Sequence, residues 1–289
     1  MFKKKEKQEE LENSQRLSKA KHDRKHILTD KSGFYLKEAY RSLRTNVGFA
    51  LADTEGCKVV MITSSLQGEG KSITALNLSI SLGQTDHKVL LMDCDLRRPR
   101  LARLMNTGSP VGLSNLLMDL HKLDNAIVTS QEHGIDMIFA GDIPPNPAEL
   151  LSSKRMSNLL ELLRKRYDYV IIDSPPVDLV VDAVALSSQC DGVLYVVRAK
   201  RTERGAVICG MEQLQYAGAN VIGFVFNGMT SETAKGYGKY RYRRYAAYGR
   251  YGRYGRYGYK SGYGYGNGYG RGYGYGYGYG RNVTKEKGQ

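Results

Sequence analysis

The sequence has 289 residues and a formal net charge of +14 at pH 7. The positive charge lies at the ends: residues 1–31 carry +4, residues 235–289 carry +12, and the residues between them carry −2. Four widely spaced cysteines without a C-x-x-C pair argue against a disulfide framework or a cysteine-ligated metal. The charge pattern predicts a basic flexible N-terminal segment (1–31), one folded domain (32–234) and a disordered tail (235–289).

Neither a membrane span nor a secretion signal is expected from the sequence. No apolar run approaches the roughly 20 residues that cross a bilayer, and the charged N-terminus lacks the apolar stretch of a signal peptide. A cytoplasmic protein fits both observations and the cysteine usage.

Short apolar runs alternate with stretches of helical periodicity along the middle of the chain. The stretch 147–167 is predicted as one helix, in which Asn146 is the N-cap, Pro147 takes the first position and Glu149 completes a capping box. Strands that are apolar throughout and alternate with helices imply an α/β fold, a mostly parallel sheet with helices on both faces. Ligands of such sheets bind at the carboxyl ends of the strands. The predicted strands are 57–65, 88–93, 134–141, 167–176, 191–199 and 220–228.

The first polar cluster, S-S-L-Q-G-E-G-K-S, follows a predicted strand and opens a predicted helix. It resembles a phosphate-binding P-loop, in which glycines let backbone N–H groups approach a triphosphate. Lys71 would reach the β- and γ-phosphates, and Ser72 would offer its hydroxyl to Mg²⁺. Ser65 stands where the pattern has its first glycine. The alternative is a glycine-rich turn that binds no ligand.

The second cluster, L-L-M-D-C-D-L-R-R-P, ends the next predicted strand. Asp93 and Asp95 are two residues apart, so an extended chain points both side chains to the same side, beyond the sheet edge. Two carboxylates so close repel each other unless a cation lies between them. The alternatives are a helix N-cap, or neutralisation by Arg97 and Arg98.

The third cluster, V-I-I-D-S-P-P, places Asp173 at the tip of an apolar strand, in the manner of a Walker B strand. Asp173 could hold Mg²⁺ directly or through water, and the alternative is a cap for the following turn. Together the three clusters supply one lysine, one hydroxyl and three carboxylates at one end of one sheet. That combination matches what MgATP needs.

These residues resemble the bacterial tyrosine kinases (BY-kinases) of capsule and exopolysaccharide synthesis. The resemblance rests on G-E-G-K-S, D-C-D-L-R-R-P, V-I-I-D-S-P-P, the segment 141–151, an E-x-x-R-x-x-R pattern within 38–49, and a tyrosine-rich tail. It runs from about Phe34 to Asn227 and implies a P-loop NTPase-like fold. One departure is Gln67, where such kinases have proline, and a change in loop stiffness with phosphate binding kept is expected there.

The resemblance also implies roles for particular residues. Asp93 is expected to accept the proton of the tyrosine hydroxyl, with Lys71 as the second catalytic residue. Asn227 either contacts the adenine or caps the backbone. The predicted nucleotide-binding residues are Gly68, Glu69, Gly70, Lys71, Ser72, Ile73 and Asn227. The predicted Mg²⁺ ligands are Ser72, Asp95 and Asp173, and the predicted ring-forming subunit interface is Glu38, Arg41 and Arg44.

Two other functions are weighed against the kinase. Partition and septum-site ATPases share the fold but carry an extra lysine early in the loop, where this chain has Leu66. A nucleic-acid binder would use tyrosine and arginine in a glycine-rich coil to stack on bases and contact phosphates. The attached nucleotide site favours the kinase and disfavours nucleic acid as a partner.

The tail contains 16 tyrosines between Tyr237 and Tyr279, separated by little except glycine and arginine. It is predicted to be a substrate array tethered to its own enzyme, reached in a neighbouring subunit of a ring. Each phosphate adds about −1.5 to −2, so roughly six to eight phosphates would cancel the charge of the tail. The predicted phosphoacceptors are Tyr245, Tyr248, Tyr251, Tyr254, Tyr257, Tyr273, Tyr275, Tyr277 and Tyr279.

The resemblance implies several partners besides a second copy of the chain. It implies a membrane adaptor protein of the polysaccharide chain-length type, which would hold the chain at the inner face of the cell membrane. A cognate tyrosine phosphatase and sugar-nucleotide enzymes as further substrates follow from the same resemblance.

Overall fold

The computed structural model describes residues 23–118 and 123–229. The predicted tail and phosphoacceptor tyrosines, and most of the predicted N-terminal segment, lie outside the described residues. All predicted residues of the nucleotide, metal and interface sites lie within them.

A seven-stranded sheet runs through the described part of the chain, in the order β3-β4-β2-β5-β1-β6-β7. Neighbouring strands are parallel except β3 and β4, which are antiparallel. The sheet places β2, β5 and β1 side by side, so the three polar clusters follow adjacent strands. The strands are β1 (Lys58–Ser64), β2 (Val89–Asp93), β3 (Ile127–Ser130), β4 (Ile135–Ile138), β5 (Tyr169–Asp173), β6 (Gly192–Arg198) and β7 (Val221–Asn227).

Helices cover both faces of this sheet. Alternate residues of the fully apolar strand β1 enter different core clusters: Val59 and Met61 pack on one face, and Val60 and Ile62 on the other. This two-sided burial confirms the predicted α/β fold with a mostly parallel sheet. The helices are α1 (Phe34–Ala50), α2 (Lys71–Gly83), α3 (Leu101–Met105), α4 (Leu113–Met118), α5 (Leu123–Ala126), α6 (Pro147–Leu151), α7 (Lys154–Arg164), α8 (Asp182–Ser187) and α9 (Arg204–Tyr216).

All six predicted strands are present, and β3 is an additional strand that the sequence did not indicate. β3 has four residues, pairs with β4 from Ile127 opposite Ile138 to Ser130 opposite Ile135, and is only partly buried. A short edge strand gives too few alternations to be recognised by its pattern.

The predicted single helix over 147–167 is wrong, because the chain breaks between α6 and α7. Ser153 is the N-cap of α7, where its side chain accepts the Met156 N–H at 3.3 Å. Asn146 occupies the N-cap position of α6 with Pro147 after it, but its side chain caps no backbone group. The Asn146 amide instead donates to Glu149 Oε2 at 2.6 Å, so the predicted capping box is not formed.

Residues 23–31, here called the strap, pack on the folded domain although their charge pattern places them in the N-terminal segment. Leu28 is buried in the core beside α2. Buried Asn77 of α2 holds the strap from both amide atoms: it accepts the Leu28 N–H at 2.8 Å and donates to the His26 carbonyl at 2.8 Å. Arg24 donates to the Arg103 and Leu104 carbonyls at the end of α3. The strap therefore joins α2 to α3.

Candidate active site

The P-loop connects the end of β1 at Ser64 to the start of α2 at Lys71. Two of its residues have left-handed backbones, Gly68 (φ +79°) and Gly70 (φ +103°). A Cβ at Gly70 would overlap the Asn227 side-chain nitrogen, so both φ and space require glycine there. The loop thus has the predicted strand–turn–helix form, in which backbone N–H groups of the first turn of α2 are suited to bind a phosphate.

Two buried interactions fix the backbone of the loop. The Glu69 carboxylate is fully buried. It accepts hydrogen bonds from the Leu66 N–H at 2.9 Å and from the Thr202 hydroxyl. The Asn227 amide donates to the Glu69 carbonyl at 2.8 Å and accepts the Gly228 N–H at 2.8 Å. Of the two roles expected for Asn227, the structure shows the backbone cap, and contact with adenine stays a prediction. The Glu69 side chain points away from the ligand side.

Three arginines hold the P-loop from outside. Arg198 donates to the Gly68 carbonyl at 2.7 Å, and Arg201 donates to the Gln67 carbonyl at 3.3 Å. Arg98 donates to the Gln67 side-chain oxygen at 2.9 Å. Gln67 is therefore tied to the loops on both sides of the P-loop.

The place of the first P-loop glycine is taken by Ser65, whose hydroxyl lies 2.9 Å from the buried Tyr195 hydroxyl. The Ser65 hydroxyl thus has a hydrogen-bond partner in the interior of the protein. The substitution is therefore compatible with the loop conformation.

The two strand-end aspartates Asp93 and Asp173 are opposite each other in the pairing of β2 with β5. Asp93 is fully buried: its Oδ1 accepts the Asp95 N–H at 3.2 Å, and its Oδ2 accepts the Arg100 and Leu101 N–H groups at 3.2 and 3.1 Å. Asp93 thereby caps the start of α3. Neither carboxylate oxygen of buried Asp173 forms a well-aligned hydrogen bond among the residues described, although the Ser72 hydroxyl lies near enough to lower the pKa of Asp173.

The expectation that Asp93 and Asp95 share one side beyond the sheet edge is wrong. β2 ends at Asp93, so the two-residue alternation does not extend to Asp95, which is half-buried and lines the cavity. The neighbouring arginines do not pair with these carboxylates either: Arg97 forms a two-point ion pair with Asp182 at 2.7 and 3.0 Å. Arg98 turns its side chain to the P-loop, and only its backbone N–H reaches Asp95, at 3.0 Å.

Burial dominates the electrostatics of this cluster. It raises the pKa of Asp173 to about 7, against the opposing effect of Lys71. It raises the pKa of Asp93 well above the usual range, and the charge of Asp173 adds to this rise. It lowers the pKa of the buried Lys71 ammonium, which Asp173 and Asp95 counteract. The site therefore holds carboxyl groups whose ionised form needs a cation close by.

A cavity opens above the P-loop between the strap, α2 and the loops that follow β2 and β6. Ser72 and Asp95 both line it, and the residues around it are mostly basic or polar. A cavity of this charge suits a phosphate ligand. Its lining is Asp23, Gln67, Gly68, Gly70, Lys71, Ser72, Ile73, Asp95, Arg98, Arg100, Leu104 and Arg198.

The residues present fit Mg²⁺. Within residues 23–118 and 123–229, no three or more His, Cys, Asp or Glu side chains form a group that could hold a metal by themselves. Mg²⁺ takes one or two carboxylates and completes its shell with water and phosphate oxygens. Asp173 supplies two buried oxygens without partners, and Asp95 and Ser72 line the adjoining cavity. The three predicted ligands are thus brought to one place.

The predicted interface residues all lie on α1 but differ in their surroundings. Glu38 and Arg41 form an exposed ion pair of 2.6 Å. Arg44 instead donates to the Ser81 carbonyl near the end of α2, inside the same chain. Arg44 is thus engaged within the chain, and a subunit interface formed by the three residues stays a prediction.

Sequence reasoning missed Asp23, Arg100 and Arg198 as parts of this cavity. Arg100 belongs to an R-R-P-R run whose charge could have been noticed. Asp23 and Arg198 carry no local signal, because only the packing of the strap and of β6 brings them to the P-loop.

Comparison with known proteins agrees with this arrangement. A family profile described as "AAA domain" matches residues 57–216, which is more than half of the chain. The chain is 40% identical over 203 residues to "Tyrosine-protein kinase YwqD" of Bacillus subtilis, covering 70% of this chain and 85% of that protein. It belongs to the bacterial tyrosine-protein kinase family. "Tyrosine-protein kinase CpsD" of Streptococcus agalactiae is 35% identical over 71% of this chain and 88% of that protein.

Solved structures of the tyrosine-protein kinase family share the fold. The kinase domain of the Escherichia coli tyrosine kinase ETK superposes with a TM-score of 0.65 at 33% identity, covering 80% of each chain. The septum-site-determining protein MinD of Pyrococcus horikoshii is 22% identical, with a TM-score of 0.52 over 61% of this chain and 72% of that one, and shares the fold alone. No helix in the described ranges is long and apolar enough to cross a membrane.

Proposed function

We propose that the chain is an ATP-dependent protein-tyrosine kinase that phosphorylates the tyrosines of its own C-terminal tail. One observation carries the proposal. Asp173 is buried beside the P-loop, and neither carboxylate oxygen forms a well-aligned hydrogen bond among the described residues, with only the Ser72 hydroxyl and the Lys71 charge near it. A buried unpaired carboxylate is costly and persists where a ligand completes it. A magnesium–nucleotide complex held by Lys71 and Ser72 would supply that ligand. The similarity to tyrosine-protein kinases supports tyrosine as the acceptor of the phosphate.

In the proposed reaction, the phenol oxygen of a tail tyrosine attacks the γ-phosphorus. The bond from that phosphorus to the bridging oxygen breaks, and ADP leaves. Mg²⁺ held by Ser72, Asp95 and Asp173 would neutralise charge on the phosphates. Lys71 holds the β- and γ-phosphate oxygens, and the P-loop N–H groups orient the nucleotide.

We assign the phenol proton to Asp93, because a phenol with a pKa near 10 is a poor nucleophile at neutral pH. The raised pKa of Asp93 makes it a better proton acceptor than an exposed carboxylate. Since Asp93 is fully buried and holds three backbone N–H groups, a tyrosine reaches it only when the loop before α3 shifts. Asp93→Asn and Asp95→Asn, compared in single turnover, test this assignment. A larger loss in Asp95→Asn would move the role to Asp95.

Incubation of the full chain with MgATP, followed by mapping of modified residues, tests the function itself. We expect phosphate on tail tyrosines in the wild type, none in Lys71→Met, and wild-type labelling in the control Lys154→Met, an exposed lysine at the start of α7. ATP turnover without tyrosine labelling, together with salt-sensitive RNA or DNA binding, would replace the kinase by a nucleic-acid-binding ATPase.

The same proposal includes the partners and location implied by the family resemblance. We propose a ring of identical subunits joined through α1, a membrane adaptor of the polysaccharide chain-length type, and capsule or exopolysaccharide synthesis as the regulated process. We also propose a cognate tyrosine phosphatase as a partner and sugar-nucleotide enzymes as further substrates. Comparing the assembly size and lipid binding of the phosphorylated and unmodified chain at low salt tests whether the charge of the tail controls this assembly, and identical results would reject it.

A further inference from the structure

Four cationic side chains line the nucleotide cavity, and two of them, Arg98 and Arg198, donate hydrogen bonds to the P-loop. Lys71 faces Asp173 and Asp95, Arg98 binds the Gln67 side chain, and Arg198 binds the Gly68 carbonyl. The fourth is Arg100. Arg100 is half-buried, and its guanidinium forms no hydrogen bond or ion pair with any residue in the described ranges, although like Lys71 it lies near the charges of Asp95 and Asp173. An unpaired, partly buried guanidinium at a cavity wall is costly unless a ligand meets it.

The backbone of Arg100 is fixed although its side chain has no partner. The Arg100 N–H is donated to Asp93 Oδ2 at 3.2 Å, and the next N–H, of Leu101, is donated to the same oxygen. At the other end of α3, Arg24 binds the Arg103 carbonyl at 2.6 Å and the Leu104 carbonyl at 3.1 Å. A short helix anchored at both ends presents the arginine at a set position, which lowers the entropic cost of binding a ligand.

The position of Arg100 indicates which part of a nucleotide it meets. The P-loop N–H groups and the start of α2 take the phosphates nearer the base, and Lys71 reaches the β- and γ-phosphates. Arg100 enters from the opposite side, after β2. Its charge lowers the pKa of both Asp95 and Asp173, so it lies close to the two carboxylates assigned to the metal. Asp95 and Asp173 would hold a metal ion that would neutralise charge on the phosphates next to them.

We infer that Arg100 binds the terminal phosphate of the nucleotide and thereby distinguishes ATP from ADP. This inference rests on the proposed function. The guanidinium can donate two parallel hydrogen bonds to two oxygens of one phosphate, which an ammonium cannot. The charge that these oxygens carry during transfer would be stabilised by an arginine of the same chain, in addition to Lys71 and Mg²⁺.

Nucleotide binding by the full chain tests the inference. Calorimetry with Mg²⁺ compares ADP with the β,γ-imido analogue of ATP. Arg100→Ala is expected to weaken the binding of the analogue about 10- to 100-fold, which is typical of losing a hydrogen bond to a charged group. It should change the affinity for ADP by less than about two-fold. Arg100→Lys should lose less affinity for the analogue than Arg100→Ala, because lysine keeps the positive charge and lacks only the pair of parallel hydrogen bonds.

Arg103→Ala is the matched control, since Arg103 lies on the same helix, is exposed and binds only the Pro99 carbonyl with its side chain. It should leave both affinities unchanged. Arg100→Gln removes the charge but keeps a polar side chain with the same aliphatic stem to Cγ, and it replaces Arg100→Ala if that variant melts below the wild type. Equal loss for both nucleotides, or no loss for either, overturns the inference. A wild type that binds neither nucleotide would instead reject the proposed function.

Discussion

The two sides of the P-loop use their polar side chains differently. On the clamp side, which follows β6 and β7, Arg198, Thr202 and Asn227 direct their polar atoms to the P-loop itself. On the carboxylate side, which follows β2 and β5, Asp173 and Arg100 have polar atoms without partners in the described chain. The clamp-side groups named here are satisfied by the loop they hold, whereas Asp173 and Arg100 on the carboxylate side have polar atoms left for a ligand. Within one cavity, the clamp side therefore stabilises the P-loop and the carboxylate side is expected to contact the nucleotide and the metal.

Asp173→Asn is expected to have the largest effect on activity. Removing the unpaired carboxylate removes the charge that balances the metal, so tail phosphorylation should fall about 100- to 1,000-fold. Quantitative phosphotyrosine mass spectrometry after a fixed time with MgATP measures this loss. As a control, Asp142→Asn changes an exposed carboxylate outside the cavity and should keep wild-type labelling. Activity within about ten-fold of wild type in Asp173→Asn would remove the distinction between the two sides.

Gly70→Ala tests the point where the clamp side touches the loop. A left-handed backbone costs a non-glycine residue about 1–3 kcal/mol, and the new methyl group would also displace the Asn227 amide. We expect nucleotide binding to be lost in calorimetry. The double variant Gly70→Ala, Asn227→Ala should regain part of it, since the steric overlap is gone and only the backbone strain and the lost Asn227 hydrogen bond to Glu69 remain. Gly56→Ala is the control, because Gly56 also has a positive φ (+68°) but lies in open space away from the loop.

The pH dependence of stability reports the buried carboxylate directly. The pKa of Asp173 is about 7 in the folded protein, against 3.8 for an ordinary aspartate. Between about pH 4 and 7 the folded state therefore binds more protons than the unfolded chain, and stability falls as pH rises through this window. When the pH rises from about 4 to 7, we expect ionisation of Asp173 to lower the melting temperature of the nucleotide-free wild type by roughly 5 °C. The melting temperature of Asp173→Asn should fall less over the same range. An equal pH dependence in both proteins would contradict the assigned pKa.

Thr202→Val should have the smallest effect and should confirm that the clamp side gives support only. It leaves one oxygen of the buried Glu69 carboxylate without its hydroxyl donor, which costs about 1–3 kcal/mol. Urea unfolding of the nucleotide-free protein should show this loss, whereas labelling at saturating MgATP should stay within about three-fold of wild type. A large loss of activity with unchanged stability would assign Thr202 to the chemistry instead. Thr129→Val, on edge strand β3, is the matched control.

Much of the site could be predicted because its parts are local in sequence. Lys71, Ser72, Asp95 and Asp173 each follow or end a strand, and the carboxyl ends of parallel strands meet at one edge of the sheet. The supporting residues were not predictable in this way. Thr202 and Arg198 reach the P-loop from β6, which is distant in sequence, and nothing near them indicates that contact.

The failures in the fold have similar physical reasons. The helical periodicity of 147–167 continues across Ser152 and Ser153, and only the side-chain cap at Ser153 separates α6 from α7. The strap was assigned by charge, yet one buried leucine and two hydrogen bonds to Asn77 outweigh its charged residues. Charge composition describes a segment as a whole, whereas docking depends on a few of its residues.

The amide of Asn77 has a practical consequence for anyone shortening this protein. If translation were started at Ser32, where the charge pattern suggests a boundary, the fully buried Asn77 amide would lose both of its hydrogen bonds to the strap, and the groove filled by Leu28 would face water. Both losses fall on the helix that carries Lys71 at its first position. A truncated enzyme could then fail to bind nucleotide although every signature residue remained in place.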